Sequence, residues 1–445
     1  MKKELYVIIG LGRTGLSCAC YCLANDIPFA VTDASDQPMF AKELAEMAPD
    51  AETAFGGLSA KLIKKATLLL VSPGVSLQEP LIQEAVKKHI PAIGDTELFV
   101  KLAKKPIIAI TGSNAKSTVT SLIGDMLKRA GKRAVVAGNI GIPVLDVLND
   151  DDVDFYVIEL SSFQLERTPS LAPYIATVLN ICEDHMDRYS SLDEYIKAKK
   201  SIYRHCQYAV VNRDDVRTYP DEKHSLIISF GLDEPSAGEF GLRHDHGKDY
   251  LSFSNENLMP VSELKLSGQH NVLNVLAALA IVAPLELDRG ALLESAREFS
   301  GLPHRCQVVR EHAGLVWYND SKGTNVGATL AALNGLGVKQ AGRAKIILIA
   351  GGVGKGADFS LLRPVVKQFV RKVIVFGEAS RQIEISLRDY VDVERVDNLQ
   401  AAVEAADLAA VRNDIVLFSP ACASFDMFKN FEHRGAVFEQ LVGEL

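Results

Sequence analysis

Short apolar runs rich in β-branched residues recur along this chain, and each ends on a glycine or a polar residue. They are Leu5 to Ile9 before Gly10, Leu68 to Val71 before Ser72-Pro73-Gly74, Ile107 to Ile110 before Thr111-Gly112, and Tyr156 to Ile158 before Glu159. Ile346 to Ile349 before Gly351-Gly352, Val373 to Phe376 before Gly377, and Ile415 to Phe418 before Ser419-Pro420 continue the series. A run that is apolar on both faces belongs to a parallel sheet covered by helices on each side. Helical patterns such as Leu122 to Arg129 and Val275 to Ala283 lie between the runs, so the expected fold class is α/β with doubly wound sheets.

The chain has 445 residues, enough for about three domains at roughly 150 residues each. A polar hinge at Gly94-Asp95 and a break at Gly301-Leu302-Pro303 divide it into 1–94, 95–301 and 302–445, each a plausible domain. The stretch from Asp233 to Asn257 is rich in Gly, Ser and charge and is expected to be a loop or hairpin insertion. The formal charge of −8 and the lack of a basic run argue against nucleic acid or a membrane surface as the main partner. The longest apolar stretch, Val275 to Leu285, contains Pro284 and falls far short of the ~20 residues that span a bilayer. Leu5 to Ile9 is too short for a signal-peptide core, so a cytoplasmic location is expected. Seven scattered cysteines without a CxxC pair fit reduced thiols. Cys18 and Cys22 could share a helix face, but two thiols do not close a zinc site and core packing is the simpler expectation.

Several loops carry chemistry. Gly10-Leu11-Gly12-Arg13-Thr14-Gly15 follows a strand and opens a helix, with Asp33 ending the next strand. This geometry suits any diphosphate; taken alone it suggests NAD, and a bare tight turn is the bland alternative. Thr111-Gly112-Ser113-Asn114-Ala115-Lys116-Ser117-Thr118 resembles a phosphate loop in which Lys116 reaches the β and γ phosphates and Ser117 binds magnesium. Ile110 and Ala115 stand where a full loop has glycine. If position 115 needs positive φ, alanine there costs roughly 1–2 kcal/mol, enough to weaken ATP binding about tenfold. Otherwise it only adds a methyl group, and activity is expected to survive either way. Glu159 ends an apolar strand, where a magnesium-binding carboxylate sits in α/β nucleotide enzymes. Asn180-Ile181-Cys182-Glu183-Asp184-His185-Met186-Asp187-Arg188 packs three carboxylates and a histidine after the next strand, as either a solvated turn or a metal site. Further polar segments are Ser267 to Asn274, with Ser267 or Asn271 as a helix cap, His304-Arg305, Asn319 to Asn325, Gly351 to Gly356 and Pro420 to Asp426.

In this order the segments resemble the Mur ligase family of ATP-dependent, peptidoglycan-building amide ligases, along nearly the whole chain. The glycine opening, Glu183 to Arg188, and the run Ser419 to Phe431 are the most specific parts, and they look most like the branch that adds D-glutamate. The resemblance implies three domains: a Rossmann-like N-terminal one for UDP, a central P-loop-type ATPase, and a dinucleotide-fold-like C-terminal one for the amino acid. The substrates implied are UDP-N-acetylmuramoyl-L-alanine and D-glutamate, with ATP and Mg2+ at two sites, acting as a monomer. Carried over by position, Leu11, Thr14, Ser72, Pro73 and Gly74 contact uridine and diphosphate, and Asn139 and Ser161 the muramoyl-alanine arm. Ser35 stands where relatives can place a basic side chain near uridine. The ATP residues implied are Gly112, Ser113, Asn114, Ala115, Lys116, Ser117, Thr118, Asn271, Arg305, Asp320 and Lys322. Ser117, Glu159, His185 and a carbamylated Lys199 hold metal, and Lys116, Glu159, His185 and Lys199 form the catalytic set. Thr324, Lys355, Ser424 and the amide of Phe431 bind D-glutamate. Without the resemblance, Lys199 reads as a surface lysine beside Lys197 and Lys200. The competing readings are a sister ligase using another amino acid or folate, an NAD-binding oxidoreductase, and a nucleotide-binding module without turnover.

Overall fold

The computed structural model describes residues 4–148, 150, 152–223, 226–266, 268–312, 314–339 and 345–445; Ser267, one of the two expected helix caps, lies outside the described residues. The strands form three sheets in chain order. The first comprises β1 (Tyr6–Ile9), β2 (Phe29–Thr32), β3 (Glu52–Ala54), β4 (Leu68–Val71) and β5 (Ala92–Ile93), all parallel in the order β3-β2-β1-β4-β5. The chain runs outward from β1 to β3 and then returns to the other side of β1, so the loops after β1 and β4 part around a crevice. Gly10-to-Gly15 and Ser72-Pro73-Gly74 are those two loops.

The second sheet has β6 (Ile107–Thr111), β7 (Ala134–Gly138), β8 (Phe155–Glu159), β9 (Ile175–Val178), β10 (Tyr208–Asn212), β11 (Ile227–Phe230), β12 (Phe240–Asp245), β13 (Lys248–Phe253) and β14 (Glu256–Pro260). Its order is β14-β13-β12-β11-β10-β9-β6-β8-β7. Every residue of β6 is buried, because the helix Lys116–Arg129 covers one face with Val119, Leu122, Ile123, Met126 and Leu127, all fully buried. The apolar helix Gln269–Val282 joins the same core. The segment expected as a hairpin insertion forms β12, β13 and the start of β14, paired antiparallel. The third sheet has β15 (Gln307–His312), β16 (Leu315–Asn319), β17 (Ile346–Gly351), β18 (Val370–Phe376), β19 (Asp392–Arg395) and β20 (Ile415–Phe418). Its order is β15-β16-β20-β17-β18-β19, parallel except for β15.

One local expectation changes. The Gly94-Asp95 joint is no polar surface hinge: Asp95, Thr96 and Glu97 are buried at the start of the helix Asp95–Leu102. Burial pushes the Asp95 carboxyl up to about 6. Glu97 accepts from the Ser170 hydroxyl at 2.7 Å and from Lys101 at 2.9 Å, which ties this segment to the second sheet's loops. Cys18 and Cys22 are buried core residues, and burial pushes the Cys22 thiol up to about 12. Among the described residues no helix is long and apolar enough to cross a membrane.

The third glycine of the first loop is fixed by packing. A Cβ on Gly15 would lie 2.0 Å from the Gly10 carbonyl oxygen, so a side chain there forces the helix Arg13–Ala24 off β1. Gly15→Ala is expected to lower stability by about 1–3 kcal/mol, the usual cost of overpacking, as read by urea unfolding of the wild type and variant in parallel.

Candidate active site

The phosphate-type loop leaves β6 at Thr111 and enters the helix at Lys116. Ser113 N–H donates to the Asn180 carbonyl at 2.9 Å and Asn114 N–H to the Asn180 side-chain oxygen at 2.8 Å. The loop after β9 therefore cradles the loop after β6. Lys116 Nζ folds back on the Gly112 and Ser113 carbonyls, at 2.8 and 3.0 Å. Lys199 Nζ reaches the same Gly112 carbonyl at 2.8 Å and lies 4.6 Å from the centre of the Tyr195 ring. Lys199 is 2% exposed, so it is no surface lysine. Its burial, with Lys116 beside it, holds its pKa well below the usual lysine range. Burial lowers Lys116 as well. Ser117 and Thr118 are buried in the first turn of the helix.

Glu159 ends β8 in the interior at 1% exposure. Its Oε1 accepts from the Asn139 amide at 2.8 Å, and its Oε2 is buried with no hydrogen-bond partner among the described residues. His185 stands half-buried at φ 59°, edge-on to Phe163. Burial holds it down to about 4, with Lys355, Lys116 and Lys199 adding to the effect against Asp184. Among the described residues, no group of three or more His, Cys, Asp or Glu side chains is placed to hold a metal ion.

A cleft of about 320 Å³ opens beside the loop. It is lined from the second sheet's unit by Asn114, Ala115, Thr118 and Asn271, and across the 301–303 break by Arg305, Asp320 and Lys322. Asp320 follows β16 and accepts from the Ser419 hydroxyl at 2.7 Å and from Cys306 N–H at 3.2 Å. Burial nevertheless raises it to about 7. Lys322 sits 3.9 Å over the Phe431 ring, and burial with Arg305 and Lys116 nearby lowers it to about 8.

The amino-acid residues expected from sequence lie on loops of the third sheet. Lys355 Nζ is 2.6 Å from Asp184; despite burial, that ammonium holds Asp184 down to about 2. Thr324 borders the same hollow as Lys355 and Asp184. Ser424 is buried, and Phe431 begins the helix Phe431–Glu444. The first sheet supplies the rest. Leu11 is a core side chain whose N–H donates to Asp33 at 2.6 Å. The other Asp33 oxygen accepts from Ser35 N–H at 2.8 Å, so the acidic residue that suggested NAD braces its own loops. Thr14 lies in the first turn of the helix Arg13–Ala24. Ser72 donates its hydroxyl to the Gly10 carbonyl at 2.8 Å, joining the Ser72-Pro73-Gly74 turn to the glycine loop. Ser161 caps the helix Ser162–Leu165 in a capping box with Gln164.

Four residues given no role by sequence organise these groups. Asn180 holds the phosphate-type loop. Asn325 donates to both Asp184 (3.0 Å) and Asn114 (3.1 Å), linking the third sheet's loops to the second's. Tyr195 hydrogen-bonds the Ser113 hydroxyl at 3.0 Å. Arg434 is fully buried and donates to the carbonyls of Ser321, Cys422 and Ala423. A lone polar residue on an otherwise ordinary helix or loop carries no spacing signal, so only the folded chain reveals these roles.

Ala115 has φ 65° and ψ −4°, the left-handed region. The strain of roughly 1–2 kcal/mol is therefore real, but the loop's own bonds to Asn180 and the lysines hold it, so it falls on folding rather than on nucleotide binding. Ala115→Gly is expected to gain about 0.5–1 kcal/mol after glycine's larger backbone entropy is set against the relief. Urea unfolding should show that gain while the Michaelis constant for ATP stays within about twofold.

Comparison with known proteins bears on the whole chain. The family described as Mur ligase MurD-like, N-terminal domain, matches residues 4–94; Mur ligase middle domain matches 110–282; and Mur ligase, glutamate ligase domain, matches 304–422. A protein of Pseudomonas savastanoi pv. phaseolicola named UDP-N-acetylmuramoylalanine--D-glutamate ligase is 50% identical, covering 99% of this chain and 98% of that one. One of the same name from Coxiella burnetii (strain Dugway 5J108-111) is 48% identical over 100% of both. Among solved structures, UDP-N-acetylmuramate-alanine ligase MurC of Thermotoga maritima shares the fold at a TM-score of 0.64 and 20% identity, covering 99% of each chain. The MurF ligase of Thermotoga maritima in complex with ADP does so at 0.62 and 16%, covering 99% of this chain and 96% of that one. With matches along all three sheets and identity near one half from end to end, the chain belongs to the Mur ligase family.

Proposed function

We propose that this protein joins D-glutamate to UDP-N-acetylmuramoyl-L-alanine at the cost of ATP, through an acyl phosphate, in the cytoplasmic synthesis of peptidoglycan precursors, and that it acts as a monomer. The observation that carries the reading is the convergence of the third sheet's loops on the phosphate-type loop, through Lys355 on Asp184 and Asn325 on Asn114. That arrangement supports a reading in which an amino-acid site stands beside a nucleotide site, as amide ligation requires. The relatives' names supply the choice of substrates. In this reading residues 1–94 hold the sugar nucleotide, 95–301 the ATP, and 302–445 the amino acid.

The residues present fit a divalent cation with ATP. Among the described residues the buried Oε2 of Glu159 has no hydrogen-bond partner, and magnesium on a nucleotide takes further oxygens from the phosphates. Glu159 and Ser117 would hold one ion, and His185 with Lys199 the other. When bound, such ions offset charge on the transferred phosphoryl group. Lys116, released from its loop carbonyls, pairs with phosphate oxygens. The substrate carboxylate attacks the γ phosphorus, the bond to ADP breaks, and the acyl phosphate forms. The D-glutamate amine then attacks the acyl carbon, and phosphate leaves as the amide forms. Lys322 is placed across the cleft to offset negative charge during the first step. Loops from the third sheet cover the site and keep water from the acyl phosphate. Thr324, Lys355, Ser424 and the Phe431 amide supply cationic and neutral donors for a dicarboxylate.

Lys199 is buried beside Lys116, and burial holds its pKa well below the usual lysine range, which favours addition of the neutral amine to CO2. A C–N bond forms, a proton goes to solvent, and the resulting carbamate is an anion suited to cations.

Phosphate release from ATP, magnesium and UDP-N-acetylmuramoyl-L-alanine should be stimulated by D-glutamate and not by L-glutamate, L-lysine or buffer. Stimulation by a different amino acid would indicate a sister ligase, and ATP binding without turnover would leave a binding module. For Lys199, turnover should fall in CO2-depleted buffer and recover with bicarbonate. Lys199→Ala is expected to lose on the order of 100-fold or more in turnover, whatever the bicarbonate concentration.

A further inference from the structure

The turn after β4 is held from outside its own sheet. Arg167 follows the short helix Ser162–Leu165, which starts three residues beyond Glu159. Its side chain crosses to the first sheet at 3% exposure. Nη1 donates to the carbonyls of Val71 (3.2 Å) and Ser72 (2.6 Å), and Nη2 donates to the carbonyl of Val75. Arg188, stacked 3.9 Å over Phe163, adds a bond to the Pro73 carbonyl at 3.4 Å. Two arginines from the second sheet's loops thus bind four carbonyls spanning Ser72-Pro73-Gly74. On its other side the same turn is tied to the glycine loop through Ser72 and Gly10.

Burying a guanidinium is costly, and here its Nε lies buried without a hydrogen-bond partner among the described residues. Burial lowers Arg167 to about 10, which leaves it charged at neutral pH. A planar fork can bridge several carbonyls at once, whereas a lysine ammonium is a single point on a flexible stem. The turn stands at the switch point of a parallel sheet, where ligands of such sheets bind.

The geometry points to Arg167 as a positioning residue for the sugar nucleotide: by clamping the Ser72-Pro73-Gly74 turn to the strand end that carries Glu159, it sets where the nucleotide end of that substrate rests relative to the reacting end. The inference rests on the function proposed above, in which this turn contacts UDP. Arg167 touches no reacting atom and acts through the turn.

The test compares the full-length wild type with Arg167→Lys and Arg167→Ala. It uses D-glutamate-dependent phosphate release, and calorimetric titration with UDP-N-acetylmuramoyl-L-alanine alone. The expected result is a rise of about tenfold or more in the Michaelis and dissociation constants for the sugar nucleotide in both variants. The constants for ATP and D-glutamate, and turnover at saturation, stay within about threefold. Arg167→Lys keeps the charge and most of the stem, so it decides the matter if the alanine variant fails to fold. A sugar-nucleotide constant within twofold of wild type in the lysine variant overturns the inference. So does a parallel shift of all three substrates, or failure of the lysine variant to fold, since each shows a general structural role. Absence of D-glutamate-dependent release in the wild type would instead defeat the functional reading itself.

Discussion

Lys116, half-buried, and Lys199, fully buried, place two amine groups on one backbone oxygen, the carbonyl of Gly112, each at 2.8 Å. Two ammonium charges so close in a poorly hydrated site repel each other, and burial already disfavours each. The surroundings relieve this in stages. Glu159 and Asp184 lie near enough to favour the charged forms, while the pKa of Lys199 falls furthest. A group forced toward neutrality beside a phosphate-type loop is the chemical basis for reading it as a carbamate.

The three sheets depend on one another through polar side chains that cross between their loops. Arg167 and Arg188 reach from the second sheet's loops to the turn after β4. Asp184 and Asn114 receive Lys355 and Asn325 from the third. Charge-assisted bonds of this kind are directional and sensitive to geometry. Between the first two sheets they act beside an apolar core that both share, running from Ile8 and Leu11 through Phe99 to Ile107 and Tyr156.

Much of the fold was legible along the chain because fully buried strands announce themselves. Ile107 to Ile110 and Ile415 to Phe418 have no polar face, so only a parallel sheet accommodates them. The hairpin character of 233–257 was readable from its turn composition. At the Gly94-Asp95 joint, sequence cannot show that Glu97 finds Ser170 and Lys101, or that Asp95 is buried. The loops after β1, β6 and β8 were visible because glycines, a lysine and an acidic residue each follow a strand. Lys199 was visible only through the family, since its neighbours Lys197 and Lys200 make it look like one of a solvated set. Arg167, Asn180, Asn325 and Arg434 carried no signal, because each works through backbone groups or residues far off in sequence.

Sequence by itself determined the α/β class, the carboxyl-end loops that carry the chemistry, and the family, because those follow from local periodicity and contiguous motifs. Tertiary structure decided the backbone state of Ala115, the burial of Lys199, the unpaired oxygen of Glu159 and the clamp of Arg167 on Ser72. Each of these depends on which distant groups surround a residue once the sheets have packed. Desolvation and long-range hydrogen bonding exist only in that packed arrangement.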